Sequence, residues 1–267
     1  METSVSKQGD YLEPIPDRLV VMTFDDGVKS QATFAAPLLR RHGFGGTFFI
    51  TEGLRFLTHK QYYMTWDEIR QLHEDGFEIG NHLGRHVDMR KQTKEAIRAD
   101  VEHIEQRCRE NGIPVPTTFC YPGSHTSAEA VEVIAEKGYL FARRACEPVT
   151  ALPDYQRGGN GPPYDPTKDH PFLIPATGHP GSDSTFDECV DAMEQARDGQ
   201  VCVLTFHGVP DLDHPFCSTD PKLYEACVKY LADNDYTVIA LRDLVKYVDP
   251  HQPFPADFDF RTINWWK

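Results

Sequence analysis

Three short segments of the chain contain residue types that could together carry out metal-assisted hydrolysis. They are residues 23–27 (Thr-Phe-Asp-Asp-Gly), residues 82–86 (His-Leu-Gly-Arg-His) and residues 205–208 (Thr-Phe-His-Gly). Each segment lies at the end of an apolar run that is typical of a buried strand. Carboxylates and imidazoles bind divalent metals and also transfer protons at neutral pH. The sequence therefore indicates a hydrolytic enzyme.

Each of these side chains suits a particular task. Asp25 and Asp26 are adjacent, so that one carboxylate can bind a cation while the other stays free as a base. His82 and His86 are four residues apart, a spacing that lets two imidazoles reach one ion. His207 ends a strongly apolar run, and an imidazole in a cleft can protonate a leaving amine or alkoxide. Two imidazoles and one carboxylate leave a coordination position open, which is typical of a catalytic metal site.

Strand-like and helix-like stretches alternate along the chain, which predicts parallel strands joined by crossover helices. Because the candidate residues follow the ends of four different strands, we expect a distorted (β/α) barrel of seven or eight mostly parallel strands, in which those ends form one rim. An open doubly wound sheet is the alternative, but it gathers residues from two strands more readily than from four. The predicted strands span residues 19–24, 46–51, 77–80, 117–121, 140–143, 172–176, 201–206 and 237–241, and the predicted helices span residues 31–42, 65–75, 93–111, 127–137, 185–198 and 221–234.

The barrel is expected to form a single domain over residues 19–248. An N-terminal extension, residues 1–18, precedes it. A tail rich in aromatic residues, residues 249–267, follows it, and we expect this tail to pack on the body or on a neighbouring molecule. Residues 147–170 are rich in Pro, Gly, Asp and Tyr, a composition that predicts a long loop over the catalytic rim.

The composition argues against two classes of partner. The net charge is −14, from 27 Lys and Arg against 41 Asp and Glu, and no basic stripe offsets it, so we expect no binding to nucleic acid. No apolar run approaches the roughly 18 residues that a membrane-spanning helix requires, so we expect no membrane association. Residues 1–10 are polar and lack the apolar core of a secretion signal, which favours a cytoplasmic location.

The chain resembles the polysaccharide deacetylases with a NodB homology domain, which form carbohydrate esterase family 4. The resemblance covers residues 19–244. It rests on Thr-Phe-Asp-Asp-Gly, on Gly-Gly-Thr-Phe-Phe-Ile, on the His-x-x-x-His pair after Glu-Ile-Gly-Asn, and on the strand that ends in His207. The family fold is a distorted barrel. Zn²⁺ is the expected metal, because two imidazoles and a carboxylate suit it.

The resemblance also implies a role for each candidate residue. It makes Asp25 the general base, Asp26, His82 and His86 the metal ligands, and His207 the general acid. The third family motif appears as residues 119–123 (Phe-Cys-Tyr-Pro-Gly), which implies that the backbone N–H of Tyr121 helps to hold the developing oxyanion. The implied reaction is attack of metal-activated water on an acetyl carbonyl, with release of acetate.

The chain departs from the family pattern at two positions. Leu83 stands where many members have Ser or Thr, which implies that a hydrogen bond supporting the histidine loop is missing. Cys120 or Phe119 stands where many members have an Arg that holds the base carboxylate. Three arginines could approach that carboxylate from another strand or from the long loop, namely Arg143, Arg144 and Arg157. Three further histidines lie in loops that should reach the same rim, namely His125, His179 and His214.

Three functions are compatible with these residues. The first is deacetylation of an N- or O-acetylated poly- or oligosaccharide. The second is hydrolysis of a small non-peptide amide or cyclic amide, which the missing motif arginine and the long loop favour. The third is carbohydrate binding by a barrel without turnover, but the chain retains the residues for metal binding and proton transfer, which disfavours it. Deacetylation is therefore the leading hypothesis.

Overall fold

Seven parallel strands form one curved sheet in the computed structural model, which describes residues 12–144 and 160–253. The strands are β1 (Leu19–Phe24), β2 (Thr47–Ile50), β3 (Glu78–Asn81), β4 (Thr118–Cys120), β5 (Phe141–Arg143), β6 (Cys202–Phe206) and β7 (Thr237–Ile239). Their order is β5-β4-β3-β2-β1-β6, and β7 pairs with β1. Parts of the predicted extension (1–11), long loop (147–159) and tail (254–267) lie outside the described residues, as does Arg157.

The helices follow the predicted stretches, and each one after the first begins at a residue whose side chain caps it. The Thr65 hydroxyl accepts a hydrogen bond from the Glu68 N–H, and the Glu68 carboxylate accepts one from the Thr65 N–H. Thr185 and Glu188 repeat this arrangement. The α-helices are α1 (Ala36–Arg41), which continues a π-helical turn (Gln31–Ala35), α2 (Trp66–Glu74), α3 (Lys94–Glu110), α4 (Ala128–Glu136), α5 (Phe186–Met193) and α6 (Pro221–Asp233). Among the described residues, no helix is long and apolar enough to cross a membrane.

The predicted strand at residues 172–176 does not form. Pro175 lacks the N–H that a regular ladder requires, and this segment makes only isolated bridges. Ile174 pairs with Arg143 at the end of β5, and Gly178 pairs with Leu204 in β6. The segment therefore spans the gap between β5 and β6, so that a single irregular connection completes the distorted barrel.

The described part of the predicted long loop does not lie over the catalytic rim. Tyr164 pairs with Val201, with two backbone hydrogen bonds of 2.9 Å, and Val201 directly precedes β6. The start of a parallel strand lies at the opposite end of the barrel from the strand ends that form the rim. Residues 164–170 therefore pass the far end, and the prediction was wrong for this part of the chain, whereas Asn160 lies beside His179.

Alternation along the strands separates two buried clusters. On β1, Val20, Met22 and Phe24 belong to the cluster that packs against the helices. Leu19 and Val21 belong to a second cluster, formed with inward-facing residues of the other strands. Because the side-chain period of a strand is two, the residues that follow the strands continue the same alternation. This continuation determines which polar side chains enter the barrel.

Candidate active site

The strand ends direct polar side chains into one end of the barrel. Asp25 continues the inward face of β1, and Thr23 on that face contacts Thr205 of β6 through hydroxyl oxygens 3.2 Å apart. Side chains alternate between the two faces in the other strands as well, so every second residue points into the barrel. The residues placed in this way are Asp25 after β1, His82 after β3, Cys120 in β4, Arg143 in β5 and His207 after β6. Their convergence is a consequence of parallel strands that end at one rim.

Asp26, His82 and His86 form a compact group that could hold a metal ion. The Nε2 atoms of both histidines lie 3.3 Å from Oδ1 of Asp26. The ligand atoms of the three residues all lie within 4.8 Å of one another. Asp26 adopts a left-handed backbone conformation, with φ of 72°, which turns its side chain away from that of Asp25. The predicted ligand set therefore comes together.

The chemistry of this group fits a cation. Nδ1 of His82 lies 2.8 Å from the carbonyl oxygen of Cys120, so this nitrogen carries the hydrogen and donates it. Nε2 of His82 then presents its lone pair towards Asp26. Oδ1 of Asp26 is buried and accepts no hydrogen bond from the described residues. A carboxylate oxygen facing an imidazole lone pair is unfavourable unless a positive charge lies between them.

The pKa shifts within this group also favour a bound cation. Burial alone would raise the pKa of Asp26, but His86 and His82 hold it well below its usual value. Burial alone would lower the pKa of His86, but the Asp26 carboxylate raises it. Asp26 therefore remains a carboxylate and attracts a positive charge, which can be a proton on His86 or a metal ion.

The loop that carries the two histidines is well supported even though Leu83 replaces a hydroxyl residue. The side chain of Leu83 is fully buried, and its N–H donates to Oδ1 of Asn81 at 2.9 Å. The N–H of Gly84 donates to the backbone oxygen of Asp100 at 3.2 Å, and the N–H of Arg85 donates to the Asp100 carboxylate at 3.1 Å. The predicted loss of a supporting hydrogen bond is thus balanced by contacts from β3 and α3.

Arg143 is the arginine that reaches Asp25. Its Nη2 lies 2.5 Å from both carboxylate oxygens and 2.8 Å from Sγ of Cys120. Burial alone would raise the pKa of Asp25, but Arg143, with smaller contributions from His82 and His207, lowers it. Arg144 instead donates from Nε to the carbonyl oxygen of Leu173 at 2.9 Å. Asp25 is therefore held as a carboxylate in a fixed orientation.

Cys120 occupies the space between the base and its arginine. Its thiol lies 3.6 Å from Oδ2 of Asp25, and burial raises its pKa well above the usual value. Asp25, His82 and Cys120 form a second group of possible metal ligands within 4.8 Å. Arg143 already contacts both the Asp25 carboxylate and the thiol, so this group is a poorer cation site than the one around Asp26.

His207 lies between the Asp26 group and a second histidine. Its Nε2 is 3.6 Å from Oδ2 of Asp26, and its Nδ1 is 3.0 Å from Nε2 of His179. The backbone oxygens of His207 and Asp25 both accept hydrogen bonds from the Gln31 amide, which ties the ends of β6 and β1 together. Gln31 and His179 had no motif that assigned them to the site. The sequence indicated only that His179 lies in a loop near the rim.

The other two rim histidines make different contacts. His125 lies with Nδ1 3.7 Å from a carboxylate oxygen of Asp88, and burial lowers its pKa. His214 lies with Nδ1 3.7 Å from Asp211, and that carboxylate raises its pKa. Of the three predicted rim histidines, His179 is therefore the one that contacts a candidate catalytic side chain.

The backbone of Tyr121 does not have the role predicted for it. Its N–H donates to the carbonyl oxygen of Arg143 at 3.1 Å, which continues the ladder between β4 and β5. Its buried hydroxyl donates to the carbonyl oxygen of Phe172 at 3.1 Å. Because an N–H that is already donated to a strand partner does not face substrate, this arrangement argues against Tyr121 as the oxyanion donor.

Comparison with known proteins agrees with the fold. Residues 13–142 match the family model described as polysaccharide deacetylase. The peptidoglycan-N-acetylglucosamine deacetylase of Bacillus cereus is 26% identical over 127 residues. That match covers 47% of this chain and 56% of the relative, so the chain spans little more than half the length of the curated relative it matches.

Two solved structures share the barrel over most of its length. One is the Xyl-CE4 domain of a multidomain xylanase from the hindgut metagenome of Trinervitermes trinervoides, with a TM-score of 0.60, 18% identity, and coverage of 90% of this chain and 96% of that chain. The other is the family 4 acetyl xylan esterase of Clostridium thermocellum in complex with a cobalt ion, with a TM-score of 0.57, 20% identity, and coverage of 87% and 94%. These likenesses show the distorted (β/α) barrel.

Proposed function

We propose that the protein is a metal-dependent deacetylase that hydrolyses acetyl groups on an N- or O-acetylated poly- or oligosaccharide. The observation that carries the proposal is the geometry around Asp26. Two imidazole nitrogens face one oxygen of this buried carboxylate at 3.3 Å, and His207 faces the other oxygen at 3.6 Å. A second carboxylate, Asp25, is adjacent in sequence and is fixed by Arg143. The match of residues 13–142 to the polysaccharide deacetylase family model supports the reaction class.

Asp26, His82 and His86 would hold the divalent metal, which we propose to be Zn²⁺. A bound Zn²⁺ would polarise the acetyl carbonyl and make a water molecule more acidic. The orienting hydrogen bond from His82 to the Cys120 carbonyl oxygen is the type of contact that fixes a metal-binding tautomer. The acetyl xylan esterase of similar fold is in complex with a cobalt ion, which is consistent with a metal in a protein of this fold.

Asp25 and His207 would divide the proton transfers between them. Asp25 is held ionised by Arg143, so it can accept the proton of the attacking water. His207 would then donate a proton to the nitrogen or oxygen of the leaving sugar as the bond to the acetyl carbon breaks. The products are acetate and a free amine or hydroxyl. Each transfer of this type contributes typically 10²- to 10⁴-fold to the rate.

The test is release of acetate from N-acetylglucosamine oligomers and acetylated xylan, measured with and without a chelator and after Zn²⁺ is restored. We expect activity that the chelator removes and Zn²⁺ recovers. Asp25→Asn and His207→Ala should each lower kcat by about 10²-fold or more while metal content stays unchanged. His82→Ala should lose both metal and activity.

Two surface variants serve as matched controls. Asp75 lies at the end of α2 in an ion pair with Arg40, and His42 is exposed after α1. Asp75→Asn and His42→Ala should therefore leave acetate release unchanged. Acetate release that persists in the chelated protein would contradict the proposal. Turnover of a small cyclic amide without any acetate release from glycans would reassign the substrate class.

A further inference from the structure

The ring of His207 is stacked against that of His179. The two ring centroids are 4.9 Å apart, the ring planes differ by 27°, and Nδ1 of His207 lies 3.0 Å from Nε2 of His179. That distance is a hydrogen bond in which one nitrogen donates and the other accepts. The opposite nitrogen of His207, Nε2, faces the Asp26 group. The contact with His179 therefore decides which nitrogen of His207 carries a hydrogen.

The backbone around His179 is fixed on both sides. The N–H of Thr177 donates to the carbonyl oxygen of Val203 at 2.7 Å, and the N–H of Thr205 donates to that of Gly178 at 2.8 Å. The carbonyl oxygen of Pro180 accepts a hydrogen bond from the Thr219 hydroxyl at 2.7 Å. His179 is thus presented to His207 from a segment that is held against β6, as a positioning residue must be.

We propose that His179 is a positioning residue for catalysis, and that its Nε2 accepts the Nδ1–H of His207 so that Nε2 of His207 is the nitrogen that serves the substrate. This inference rests on the proposed function, in which His207 is the general acid. Before transfer, the His207 cation carries hydrogens on both nitrogens. Its Nε2–H then passes to the leaving nitrogen or oxygen while the bond to the acetyl carbon breaks. The Nδ1–H bond to His179 persists through that step and keeps the ring in one orientation.

The environment of His179 suits a neutral acceptor. Burial, followed by the neighbouring His207, lowers the pKa of His179 to about 3. An uncharged His179 has one nitrogen free to accept, whereas a protonated one would have none. A neutral His179 is therefore compatible with the proposed assignment, in which the hydrogen shared across the 3.0 Å contact belongs to His207.

His179 also lines a small cavity on the side of α5. The cavity volume is about 10 Å³, which is close to the space that one water molecule requires, and polar lining comes from Asn160, Ser184 and Glu188. Replacing His179 with Ala would join the space of the imidazole ring to this cavity. Added imidazole should then be able to occupy the ring position, which offers a test specific for the lost acceptor.

The test compares His179→Leu with His179→Gln in the full-length, Zn²⁺-loaded protein. Both side chains are of similar size, but only Gln can accept the Nδ1–H of His207. Since a hydrogen bond from a charged donor is worth about 1.5–3 kcal/mol, His179→Leu should lower kcat by roughly 10- to 100-fold. KM and metal content should stay unchanged, and His179→Gln should recover a large part of kcat. Imidazole should raise the kcat of His179→Ala but not that of His179→Leu.

A second measurement is independent of activity. In protein labelled with ¹⁵N-histidine and assigned with His207→Ala, His207 should carry hydrogen on Nδ1 in the wild type and lose that preference in His179→Leu. Equal losses of kcat in the Leu and Gln variants, no imidazole effect, or an unchanged His207 tautomer would overturn the proposal. If the wild type releases no acetate, the proposed function fails, whereas the tautomer measurement still decides whether His179 holds His207.

Discussion

Removal of the Arg143 guanidinium should destabilise the protein strongly, because it leaves the Asp25 carboxylate buried without its cation. The side chains are 1% and 7% exposed, and one nitrogen contacts both carboxylate oxygens at 2.5 Å. Breaking a buried ion pair by removal of one partner costs about 3–5 kcal/mol. Arg143→Met keeps an unbranched apolar chain beside Phe49, whose ring lies 5.5 Å from the guanidinium carbon, so lost packing contributes little. We therefore expect a loss of about 3–5 kcal/mol at pH 7.

The assay is urea denaturation in the presence of a chelator, applied to the wild type, Arg143→Met, Asp25→Asn and the double variant. The double variant should lose less free energy of unfolding than the sum of the losses in the two single variants. Each single variant leaves one buried charge unpaired, whereas the double variant leaves none. The matched control is Arg40→Met, which breaks the Arg40–Asp75 pair of similar length. Arg40 is 59% exposed, and such surface pairs contribute at most about 1 kcal/mol.

The same pair predicts a dependence on pH. In the folded protein Arg143 lowers the pKa of Asp25 below its usual value, despite burial. The stabilisation is therefore present above the unfolded pKa of about 4 and is lost as pH falls through the folded pKa. In Arg143→Met, burial instead favours the neutral acid, which relieves the unpaired charge at low pH. The stability difference between the two proteins should therefore narrow as the pH falls, beginning above about pH 4, where Asp25 of the variant takes up a proton, and ending below it, where Asp25 of the wild type does so. A constant difference, or a coupling energy near zero at pH 7, would refute the reasoning.

Two glycines should prove essential for the site geometry. A Cβ at Gly53 would lie 2.7 Å from the backbone oxygen of Arg85 and 2.8 Å from Cβ of His86, so Gly53→Ala should displace the histidine loop and weaken Zn²⁺ binding by about 10- to 100-fold in a competition titration. Gly181→Ala, whose nearest contact is 3.3 Å, is the control, and equal Zn²⁺ affinity in both variants would contradict this reading. A Cβ at Gly80 would clash with the Phe49 ring, which lies beside the Arg143 guanidinium. Gly80→Ala should therefore lower the free energy of unfolding by about 1–3 kcal/mol and reduce kcat, because the displaced ring would disturb Arg143. An unchanged kcat would show that Phe49 does not support Arg143.

The strands and the group formed by Asp26, His82 and His86 could be predicted because their signals are local. A buried strand is read from its own apolar run, and the position of Asp25 or His82 directly after such a run places it at the rim. The family motifs strengthen this inference. The irregular segment around Pro175 could also have been predicted, because a proline within a strand-like run indicates an interrupted ladder of hydrogen bonds.

The partner of Asp25 could not be predicted in the same way, because it depends on strand order. Arg143 is 118 positions away from Asp25, and its neighbour Arg144 points elsewhere. Phe141 and Arg143 lie on the same face of β5, and Arg144 lies on the other. This alternation identifies Arg143 as the partner of Asp25 only when β5 is already known to face β1 across the barrel. The role of the Tyr121 N–H was difficult to predict for a related reason. Its N–H is used by β5, and a sequence does not show which backbone groups a neighbouring strand will occupy.

The fold places two adjacent carboxylates, Asp25 and Asp26, in different electrostatic surroundings. Both are buried, and a buried carboxylate requires a compensating positive charge. Asp25 receives that charge from Arg143, a residue of the chain itself that is permanently protonated. Within residues 12–144 and 160–253, the ionisable side chains in contact with Asp26 are imidazoles, one of which donates its hydrogen to the Cys120 carbonyl oxygen. Under the proposed function, Asp26 would hold the metal ion and Asp25 would transfer the proton, because the chain supplies a permanent cation to Asp25 but places imidazoles around Asp26.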